Sequence, residues 1–446
     1  MAGNARTAAT VEELIASGAI ISHKDGNYGS SYPRVEEFGT QGVPFLTAKS
    51  LSEGYVDIAG APRLGDARAD ELTFGFVQTD DVLLSHNATI GRVAVVPQHK
   101  GRLLVGTSLT YFRLNPQKLL PRYLAVYFAG TDFQNQLVAV MSHSTRNQVP
   151  ITAQRKLHVI VPPLAEQKAI AAVLGALDDK IELNRRMNAT LEAMARALFQ
   201  SWFVDFDPVR AKLDGRKPVG MDSVTAALFP SKFQDSSLDH IPNGWTVGKV
   251  SDLATLNRGA VNPGDFPTET FDHFSLPAFD NGRTPKVELG SAIMSNKFTV
   301  TPNSVLLSKL NPHIPRIWLP DLNTSRRSVC STEFMVACSK PGVSREYLFS
   351  LFTSSAFASI YGTLVTGTTG SHQRIRPESV LDMTIVIPSS PLIRNFTAIV
   401  KPMFDRINRN TEQSRTLATL RDTLLTKLLS GELSVAALES QLEAGR

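Results

Sequence analysis

The chain has 446 residues, of which 42% are hydrophobic and 20% charged, the composition of a soluble globular protein. This length exceeds a single ordinary core and predicts two domains or three. No apolar run approaches the ~20 residues of a membrane span, and the N-terminus lacks an export pattern, so we expect a cytoplasmic protein without a membrane partner. The two cysteines, Cys330 and Cys338, supply neither a disulfide framework nor a four-ligand zinc site.

The basic balance of the chain is compatible with a polyanionic partner. The formal net charge is +5 and the isoelectric point is about 9.1. Lysine and arginine gain affinity for phosphates because they release condensed counterions. Many basic proteins bind no nucleic acid, so charge alone permits such a partner without establishing it.

The first domain is predicted to span residues 1–163 and to be α+β. The stretches FVQTDDVLLS, RVAVVP and LTYFRL are rich in β-branched and aromatic residues and are bounded by turn residues, which predicts short strands. PRYLAVYFAGTDFQNQLVAV instead carries apolar residues at helical spacing. A helix packed on short strands is therefore expected.

A long helix is predicted next, in the segment 164–204. It follows Pro162 and Pro163 and contains one glycine in about ten turns. Its apolar residues recur at heptad spacing in two rows. One row is Ile170, Leu177, Asn184, Leu191 and Leu198, and the other is Leu174, Ile181, Asn188, Ala195 and Trp202.

The composition becomes polar, with prolines and glycines, after this helix. We interpret residues 205–240 as a linker that leads to a second domain at 241–391. Asp205 and Asp207 flank Phe206 just past the helix end, where they are better explained as an anchor or a partner contact than as a catalytic acid pair.

The second domain repeats the first at an offset of about 223 to 226 residues. VLLSHNATIGR corresponds to VLLSKLNPHIPR, TSLTYFRL to STEFMVAC, and PRYLAVYF to REYLFSLF. SHSTRNQVPIT corresponds to GTTGSHQRIRP, and VIVPPL to IVIPSSPL. The chain therefore contains a duplicated unit.

A second long helix, at 392–430, keeps the phase of the first, and a flexible tail is predicted at 431–446. Its rows are Phe396, Met403, Asn410, Leu417 and Leu424, and Val400, Ile407, Ser414 and Leu428. Asn184 and Asn410 occupy equivalent polar layers, and a buried asparagine in such a seam typically fixes register. We expect the two helices to pair antiparallel as a coiled coil of roughly 55 Å, with the two domains at its ends. The alternative is that each helix packs only on its own domain.

Several segments resemble type I restriction-modification specificity subunits. PPLAEQKAIAAVLGALDDKIELNRR followed by ALFQSWFVDFDPV resembles that family's central conserved region. FPSKFQDS and IPNGWTVGKVSDLA resemble the opening of its second target recognition domain, and LRDTLLTKLLSGEL resembles its C-terminal close. The first domain departs from the pattern because it lacks the IPNGW opening and begins instead with VEELIASGAIISHKDGNYGSSYP.

The resemblance implies that each target recognition domain reads one half of a bipartite DNA sequence while the helices set the gap. It also implies two methyltransferase subunits as partners, joined by restriction (motor-nuclease) subunits. S-adenosylmethionine, ATP and Mg would belong to those partners, so this chain is expected to bind no cofactor and no metal and to be non-catalytic.

The sequence offers little support for an enzyme. An adenine methyltransferase needs an Asn-Pro-Pro-aromatic loop and a glycine-rich cofactor turn, and Asn311-Pro312-His313-Ile314 lacks the second proline and the aromatic residue. Asp321 and Glu333 lack the nearby lysine of a metal nuclease, and the histidines show no zinc spacing. No serine lies in a nucleophile elbow.

Candidate DNA contacts are the polar, basic segments that recur in both domains. Arg, Asn and Gln can make paired hydrogen bonds to base edges, whereas Lys and Ser more often hold phosphates. In the first domain these are Ser85, His86, Asn87, Arg92, Ser144, Arg146, Asn147 and Gln148. In the second they are Lys309, Asn311, His313, Arg316, Ser371, His372, Gln373, Arg374 and Arg376, with Arg326 and Arg327 as phosphate neighbours. For each residue taken singly, a solvated loop side chain is the alternative.

The sequence thus predicts a DNA-binding specificity subunit. The alternative of a different class is a coiled-coil scaffold that binds proteins rather than DNA, and an autonomous methyltransferase or nuclease comes third.

Overall fold

The computed structural model describes residues 6–52, 54–142, 147–366 and 373–434. The chain forms two compact units. Unit 1 combines the residues up to Arg186 with those from Asn410 onward, and unit 2 runs from Met187 to Arg409.

Unit 1 consists of short strands and helices and the first long helix. Its strands are β1 (Thr7–Thr10), β2 (Ile20–Asp25), β3 (Phe38–Gly39), β4 (Val43–Leu46), β5 (Leu51–Ser52), β6 (Tyr55–Val56), β7 (Arg63–Leu64), β8 (Phe76–Val77), β9 (Val82–Ser85), β10 (Val93–Val95), β11 (Leu103–Val105), β12 (Leu109–Leu114) and β13 (His158–Val161). Its helices are α1 (Val11–Ala16), α2 (Asp66–Asp70), α3 (Pro121–Ala129), α4 (Thr131–Ser142), α5 (Ile151–Gln154) and α6 (Leu164–Phe199), the last of which continues into unit 2.

Two sheets and a helical layer form the core of unit 1. The first sheet has the antiparallel order β10-β9-β12-β2, and the second has the order β3-β7-β4-β11-β8, with β11 parallel to β4. Successive residues of a strand point to opposite faces. Leu83 therefore packs with the residues of the second sheet, whereas Val82 and Leu84 pack with α3 and α6. The first sheet is the middle layer, which explains why every residue of β9 is buried.

Unit 2 contains the remaining elements. Its strands are β14 (Phe233–Ser236), β15 (Asp239–Pro242), β16 (Thr246–Lys249), β17 (Ala254–Asn257), β18 (Ala260–Val261), β19 (Thr270–Phe274), β20 (Lys286–Leu289), β21 (Lys297–Thr299), β22 (Ser304–Ser308), β23 (Ile317–Trp318), β24 (Arg327–Cys330), β25 (Phe334–Ser339), β26 (Val365–Thr366), β27 (Arg374–Ile375) and β28 (Thr384–Ile387). Its helices are α7 (Asp207–Leu213), α8 (Ser223–Ala227), α9 (Val250–Leu253), α10 (Leu276–Asp280), α11 (Arg345–Phe352), α12 (Ser355–Tyr361), α13 (Pro377–Leu381) and α14 (Ser390–Ser430), the last of which continues into unit 1.

The layers of unit 2 repeat those of unit 1. The antiparallel order β17-β25-β22-β23 matches β2-β12-β9-β10, and the parallel pair β19–β24 matches β4–β11. Val305 and Leu307 pack with α11 and α14, whereas Leu306 packs on the opposite face with Trp318 of the same sheet and Phe274 of the five-stranded sheet. The predicted α+β fold with an internal repeat is confirmed.

The long helices pair within unit 1. Asp178 of α6 accepts a hydrogen bond from Arg421 of α14 (2.7 Å), and Asn184 Nδ2 donates to the Asn410 carbonyl (3.4 Å) and to Gln413 Oε1 (2.9 Å). Later residues of α6 contact earlier residues of α14, so the helices are antiparallel. Ile170, Leu174 and Leu177 of α6 pack in one core with Leu425 and Leu428 of α14. Gly130, between α3 and α4, permits this approach because a side chain there would clash with Leu425.

The same antiparallel pairing continues within unit 2. Asn188 Nδ2 donates to the Ile407 carbonyl (3.4 Å), and the ring of Phe199 lies 5.6 Å from that of Phe396. Phe396 also contacts Trp202 and Phe203, which lie in a π-helical turn (Gln200–Val204) at the end of α6. The helices therefore pair with each other, as the phase of their heptads predicts, and each also packs on its own domain.

Asn184 and Asn410 are both buried and in contact. Asn184 Oδ1 finds no hydrogen-bond partner among the residues that the structure describes. A buried polar layer of this kind has an energetic cost in a helix pair. That it fixes the register stays a prediction.

The segment that the sequence suggests is a linker contains α7 and α8, and Val209 and Phe229 are buried in the core of unit 2. Phe206 has a left-handed backbone (φ 56°), which turns the chain sharply out of α6. The Gln200 side chain donates to Asp205 Oδ1 (2.9 Å) and Arg210 donates to the Asp205 carbonyl (2.8 Å). Asp205 thus anchors this turn. No helix in the described ranges combines the length and apolarity needed to cross a bilayer.

Candidate nucleic-acid interface

In unit 1 the structure brings together two of the segments predicted to contact DNA. The turn between β9 and β10 lies beside the residues that precede α5. The Val149 amide donates to the His86 carbonyl (2.9 Å), and Asn87 forms an antiparallel bridge with Gln148. The His86 amide in turn donates to the Ser108 carbonyl (3.0 Å). We call residues 86–91 together with 147–149 the unit 1 bridged loop.

The same connections occur in unit 2. The Ile375 amide donates to the Lys309 carbonyl (3.0 Å), and Leu310 forms an antiparallel bridge with Arg374. The Lys309 amide donates to the Glu333 carbonyl (2.8 Å). We call residues 309–315 together with 373–375 the unit 2 bridged loop. Two stretches far apart in sequence are thus joined in the same way in both units.

Each bridged loop contains a non-glycine residue with left-handed backbone at the same position. Ala88 has φ 64° and Asn311 has φ 50°. Each lies two residues after the first residue of its loop, His86 or Lys309, whose backbone amide and carbonyl both form long-range hydrogen bonds. This conformation costs an alanine roughly 1 kcal/mol, whereas asparagine tolerates it better. In unit 1 the Asn147 side chain donates to the Ala88 carbonyl (3.3 Å). In unit 2 the backbone amide of Asn311 donates to the Gln373 carbonyl (2.9 Å). Long-range hydrogen bonds hold both turns.

Several of the predicted contacts in unit 1 have structural partners. Ser85 is fully buried, and its Oγ accepts from the Arg92 amide (2.8 Å). The Arg92 side chain donates to the carbonyls of Ala48 (3.2 Å) and Leu51 (2.9 Å), which ties the loop to the chain before β5. These residues support the loop from beneath.

The remaining unit 1 candidates differ in exposure. Asn147 is exposed, and Asn87 and Gln148 are half-buried. Their amides are the groups of this loop best placed to meet a ligand. Ser144 and Arg146 lie outside the described residues.

Buried polar side chains adjoin the unit 1 bridged loop: His86, which begins the loop, and His23 and Gln154. His23 Nε2 is 3.2 Å from Gln154 Oε1, and Gln154 Nε2 donates to Thr110 Oγ1 (3.0 Å) and to the Val149 carbonyl (2.9 Å). Burial lowers the pKa of His23 to about 4, and burial also lowers the pKa of His86. Both rings are therefore neutral at physiological pH.

In unit 2, acidic side chains hold the arginines predicted to contact DNA. Arg316 forms a two-point ion pair with Asp280 (2.7 and 2.9 Å) and is mostly buried. Arg326 Nε lies 2.8 Å from Asp272 Oδ1.

Two further arginines of unit 2 are more exposed to solvent. Arg327 stacks on the ring of Phe266 (4.3 Å to the centroid) and pairs with Glu269 (3.3 Å). Arg374 Nη2 donates to Glu333 Oε1 (2.7 Å), while 58% of its side chain stays exposed.

The other unit 2 candidates lie around the same loop. Arg376 and His313 are exposed, and Lys309, Asn311 and Gln373 are half-buried. Asn311 Oδ1 and Glu333 Oε2 are buried and have no hydrogen-bond partner among the described residues. Ser371 and His372 lie outside the described residues.

The sequence did not single out the carboxylates that orient these arginines. The sequence suggests no role for Asp280 or Asp272, and it presents Glu333 only as an acidic residue without the lysine of a nuclease site. Glu333 lies 41 residues before Arg374, and Asp280 lies 36 residues before Arg316. No local pattern marks such pairs. The repeat itself was the available signal, because Glu333 lies in the unit 2 stretch that corresponds to Thr107–Leu114.

The segment that the sequence rejects as a methyltransferase loop lies in the unit 2 bridged loop. Asn311-Pro312-His313-Ile314 forms a tight turn closed by the Ile314 amide, which donates to the Asn311 carbonyl (2.9 Å). Among the residues described, no three His, Cys, Asp or Glu side chains lie together in a way that could hold a metal ion. What the bridged loops offer is a set of amide, ammonium and guanidinium groups on fixed backbone.

Residues 42–193 match the family described as the type I restriction modification DNA specificity domain. The chain is 24% identical over 434 residues to the type I restriction enzyme MjaIX specificity subunit of Methanocaldococcus jannaschii, covering 92% of this chain and 91% of that one. It is 24% identical over 391 residues to the type I restriction enzyme HindI specificity subunit of Haemophilus influenzae, covering 77% and 84%.

Two solved structures are similar to the chain over nearly its whole length. One is the type I restriction-modification system S subunit from M. genitalium, with a TM-score of 0.47 at 12% identity, covering 96% of this chain and 97% of that one. The other is the HsdS subunit from Thermoanaerobacter tengcongensis, with a TM-score of 0.34 at 15% identity and the same coverage.

Proposed function

We propose that the chain is a type I restriction-modification specificity subunit and that it reads a bipartite DNA sequence with its two bridged loops, because it is similar to such subunits over most of its length. The observation that carries this proposal is the occurrence of the same hydrogen-bonded loop in both units. A DNA reader needs polar side chains on a backbone that does not collapse when its partner is absent. Both loops meet this requirement through contacts between distant segments.

The side chains of the loops suit the two tasks of a DNA reader. Amides and guanidinium groups can pair with base edges, and the surrounding cations can neutralise phosphates. Arg327 lies on β24 and Arg326 immediately precedes it, so both lie outside the residues of the bridged loop, and both suit phosphate contact. The overall charge of +5 supports association with a polyanion.

The proposal includes a division of labour with partner subunits. The long helices would set the gap between half-sites and dock two methyltransferase subunits, which restriction subunits would join. S-adenosylmethionine, ATP and Mg would be bound by those subunits, and this chain would contribute no catalytic group. Exposed Leu183 and Met194 on α6 are apolar surface that a partner could cover.

The direct test is selection of duplexes from a randomised DNA library by the full-length chain, followed by sequencing. We expect two short half-sites separated by a gap of fixed length. A scaffold that binds only proteins would retain no sequence preference, and that result would overturn the proposal. Methylation by the chain with S-adenosylmethionine and no partner would instead revive the enzyme interpretation.

The role of the helices can be tested in the same selection. Seven extra residues inserted in α6 after Asn184, with seven more inserted in α14 before Asn410, preserve the heptad phase of both helices. At 1.5 Å per residue they add ~10 Å, or about three base pairs, to the gap. The same seven residues inserted at exposed Gly215 are the control and should leave the gap unchanged. An unaltered gap in the helix variant would show that the helices do not set it.

A further inference from the structure

The bridged loops place Gln148 and Arg374 at equivalent positions. Gln148 bridges Asn87 and Arg374 bridges Leu310, and the residue after each donates its amide to the corresponding carbonyl, that of His86 or Lys309. The offset here is 226 residues, one more than sequence comparison of the two segments suggests. Gln148 therefore corresponds to Arg374 rather than to Gln373. One backbone arrangement carries an amide in unit 1 and a guanidinium in unit 2.

A second difference accompanies the first. Glu333 of unit 2 holds Arg374 through its Oε1 (2.7 Å). The equivalent residue in unit 1 is Ser108, because the His86 amide donates to its carbonyl as the Lys309 amide donates to that of Glu333. The Ser108 hydroxyl accepts from the Ala48 amide (2.8 Å) and is neutral. At these two equivalent positions, unit 2 has a guanidinium with a carboxylate beside it, whereas unit 1 has an amide and a hydroxyl.

We propose that the two units select different bases at this position, guanine through Arg374 in unit 2 and adenine through Gln148 in unit 1. The inference rests on the proposed function. Arginine pairs through two donors with O6 and N7 of guanine, and glutamine pairs through one acceptor and one donor with N6 and N7 of adenine. Glu333 is a positioning residue, since its carboxylate holds the guanidinium through one charged hydrogen bond of 2.7 Å and leaves most of that side chain exposed.

The test exchanges the two side chains in the full-length chain and measures base frequencies by selection from a randomised duplex library. Arg374→Gln should change one guanine to adenine in one half-site and leave the other half-site as it was. Gln148→Arg should make the reciprocal change in the other half-site. Each exchange should alter the guanine-to-adenine preference at that base pair by at least ~10-fold. Arg374 is exposed and Gln148 is half-buried, so the thermal midpoint of each variant is measured to check folding.

Arg216→Gln is the matched control. It removes the same charge from an exposed part of unit 2 outside the bridged loop, and it should change no base preference. If Arg374→Gln instead weakens binding equally for all sequences and lowers the salt dependence by about one ion, Arg374 holds a phosphate and the inference is wrong. If the unaltered chain selects no bipartite sequence, the proposed function itself fails. These two failures are therefore distinguishable.

Glu333→Gln tests the positioning role. It should reduce the guanine preference at the Arg374 base pair several-fold while the thermal midpoint and the preferences at all other base pairs stay the same. A purely structural Glu333 would lower the midpoint and weaken every base preference of unit 2 together, and that result would overturn the positioning role.

Discussion

The two units agree strand for strand in the sheet that packs on the long helices and differ in the other sheet. Both have the antiparallel four-stranded order, with β9 and β22 as the equivalent buried strands. In the five-stranded sheets, the order β7-β4-β11-β8 of unit 1 matches the order β20-β19-β24-β21 of unit 2. Only the fifth strand differs, because β3 pairs with β7 at one edge in unit 1, whereas β18 pairs with β21 at the opposite edge in unit 2.

This difference shows where the repeat is constrained. The four-stranded sheet is covered on both sides, so a change of side-chain volume there must be compensated by the helices. The edges of the other sheet have no such neighbours and can vary. The bridged loops emerge from the constrained sheet, and this explains how their backbone can be the same while their side chains differ.

The largest expected effect concerns the helix seam. Phe396 of unit 2 and Ile170 of unit 1 are equivalent by the 226-residue offset, and both are fully buried. Phe396 meets the rings of Phe199, Trp202, Phe203 and Tyr347. Phe396→Ala should therefore cost ~3 to 5 kcal/mol, and Ile170→Ala ~2 to 4 kcal/mol. Hydrogen exchange of each unit should show the loss of protection mainly in the unit that carries the substitution, and equal loss in both would contradict two separate cores.

A smaller difference is expected in acid. His23 has a folded pKa of about 4 against an ordinary value of 6.5, because burial disfavours its charged form. The unfolded chain then binds the proton first, so unit 1 loses stability as the pH falls from about 6.5 to about 4, by up to ~3 kcal/mol from this group. Denaturant unfolding across that pH range, monitored by hydrogen exchange in unit 1, measures the loss of stability.

His23→Leu is the matched variant for the acid effect. Leu256 occupies the equivalent position in unit 2, since it lies opposite Ala337 as His23 lies opposite Phe112. The variant should flatten the acid dependence of unit 1. Burial also lowers the pKa of His273 in unit 2, so unit 2 keeps an acid dependence of its own. An unchanged pH profile would remove His23 as its cause.

A still smaller effect is expected in the polar layer of the helix pair. Replacing both Asn184 and Asn410 with Leu removes a buried polar layer whose hydrogen bonds are incomplete. We expect the free energy of unfolding to rise by ~1 kcal/mol, together with a loss of unique register. Thermal denaturation gives the first quantity, and cross-linking of cysteines placed along the two helices gives the second. A less stable variant that keeps one register would show that the polar layer stabilises the helix pair and does not fix its register.

The smallest effect distinguishes the two left-handed turns. Ala88→Gly relieves the strain of the left-handed backbone and should stabilise unit 1 by less than ~1 kcal/mol, after the added entropy of the unfolded chain is subtracted. Asn311→Gly should give little or no gain because asparagine already tolerates this conformation. Urea midpoints of the two variants provide the comparison. A larger gain for Asn311→Gly would contradict it.

Much of the fold could be predicted because its signals are periodic. The heptad rows of α6 and α14, with Asn184 and Asn410 in phase, predict the antiparallel pairing that the structure contains. Repeated stretches such as VLLSHNATIGR and VLLSKLNPHIPR identify β9 and β22. Strands of two residues, such as β7 and β8, leave no periodic trace and were not predicted.

The candidate site was predictable only in part. The sequence identified the segments that meet in the bridged loops, because each recurs in both halves of the chain. It could not assign Asp280 to Arg316 or Glu333 to Arg374, because those pairs depend on how the two sheets meet. Nor could composition distinguish buried Ser85 from exposed Asn147, since burial is decided by the strand that precedes the loop. Whether these side chains contact DNA stays a prediction.

The division of unit 1 between the two ends of the chain bears on synthesis. Unit 2 is one uninterrupted stretch, whereas unit 1 needs the last part of α14, where Leu425 and Leu428 complete its core and Arg6 donates to the Leu429 carbonyl. A nascent chain can therefore close its second half on the ribosome before its first half is finished. Until α14 has been synthesised, Ile170 and Leu174 would lack the cover of Leu425 and Leu428 and would leave apolar surface that chaperones can bind.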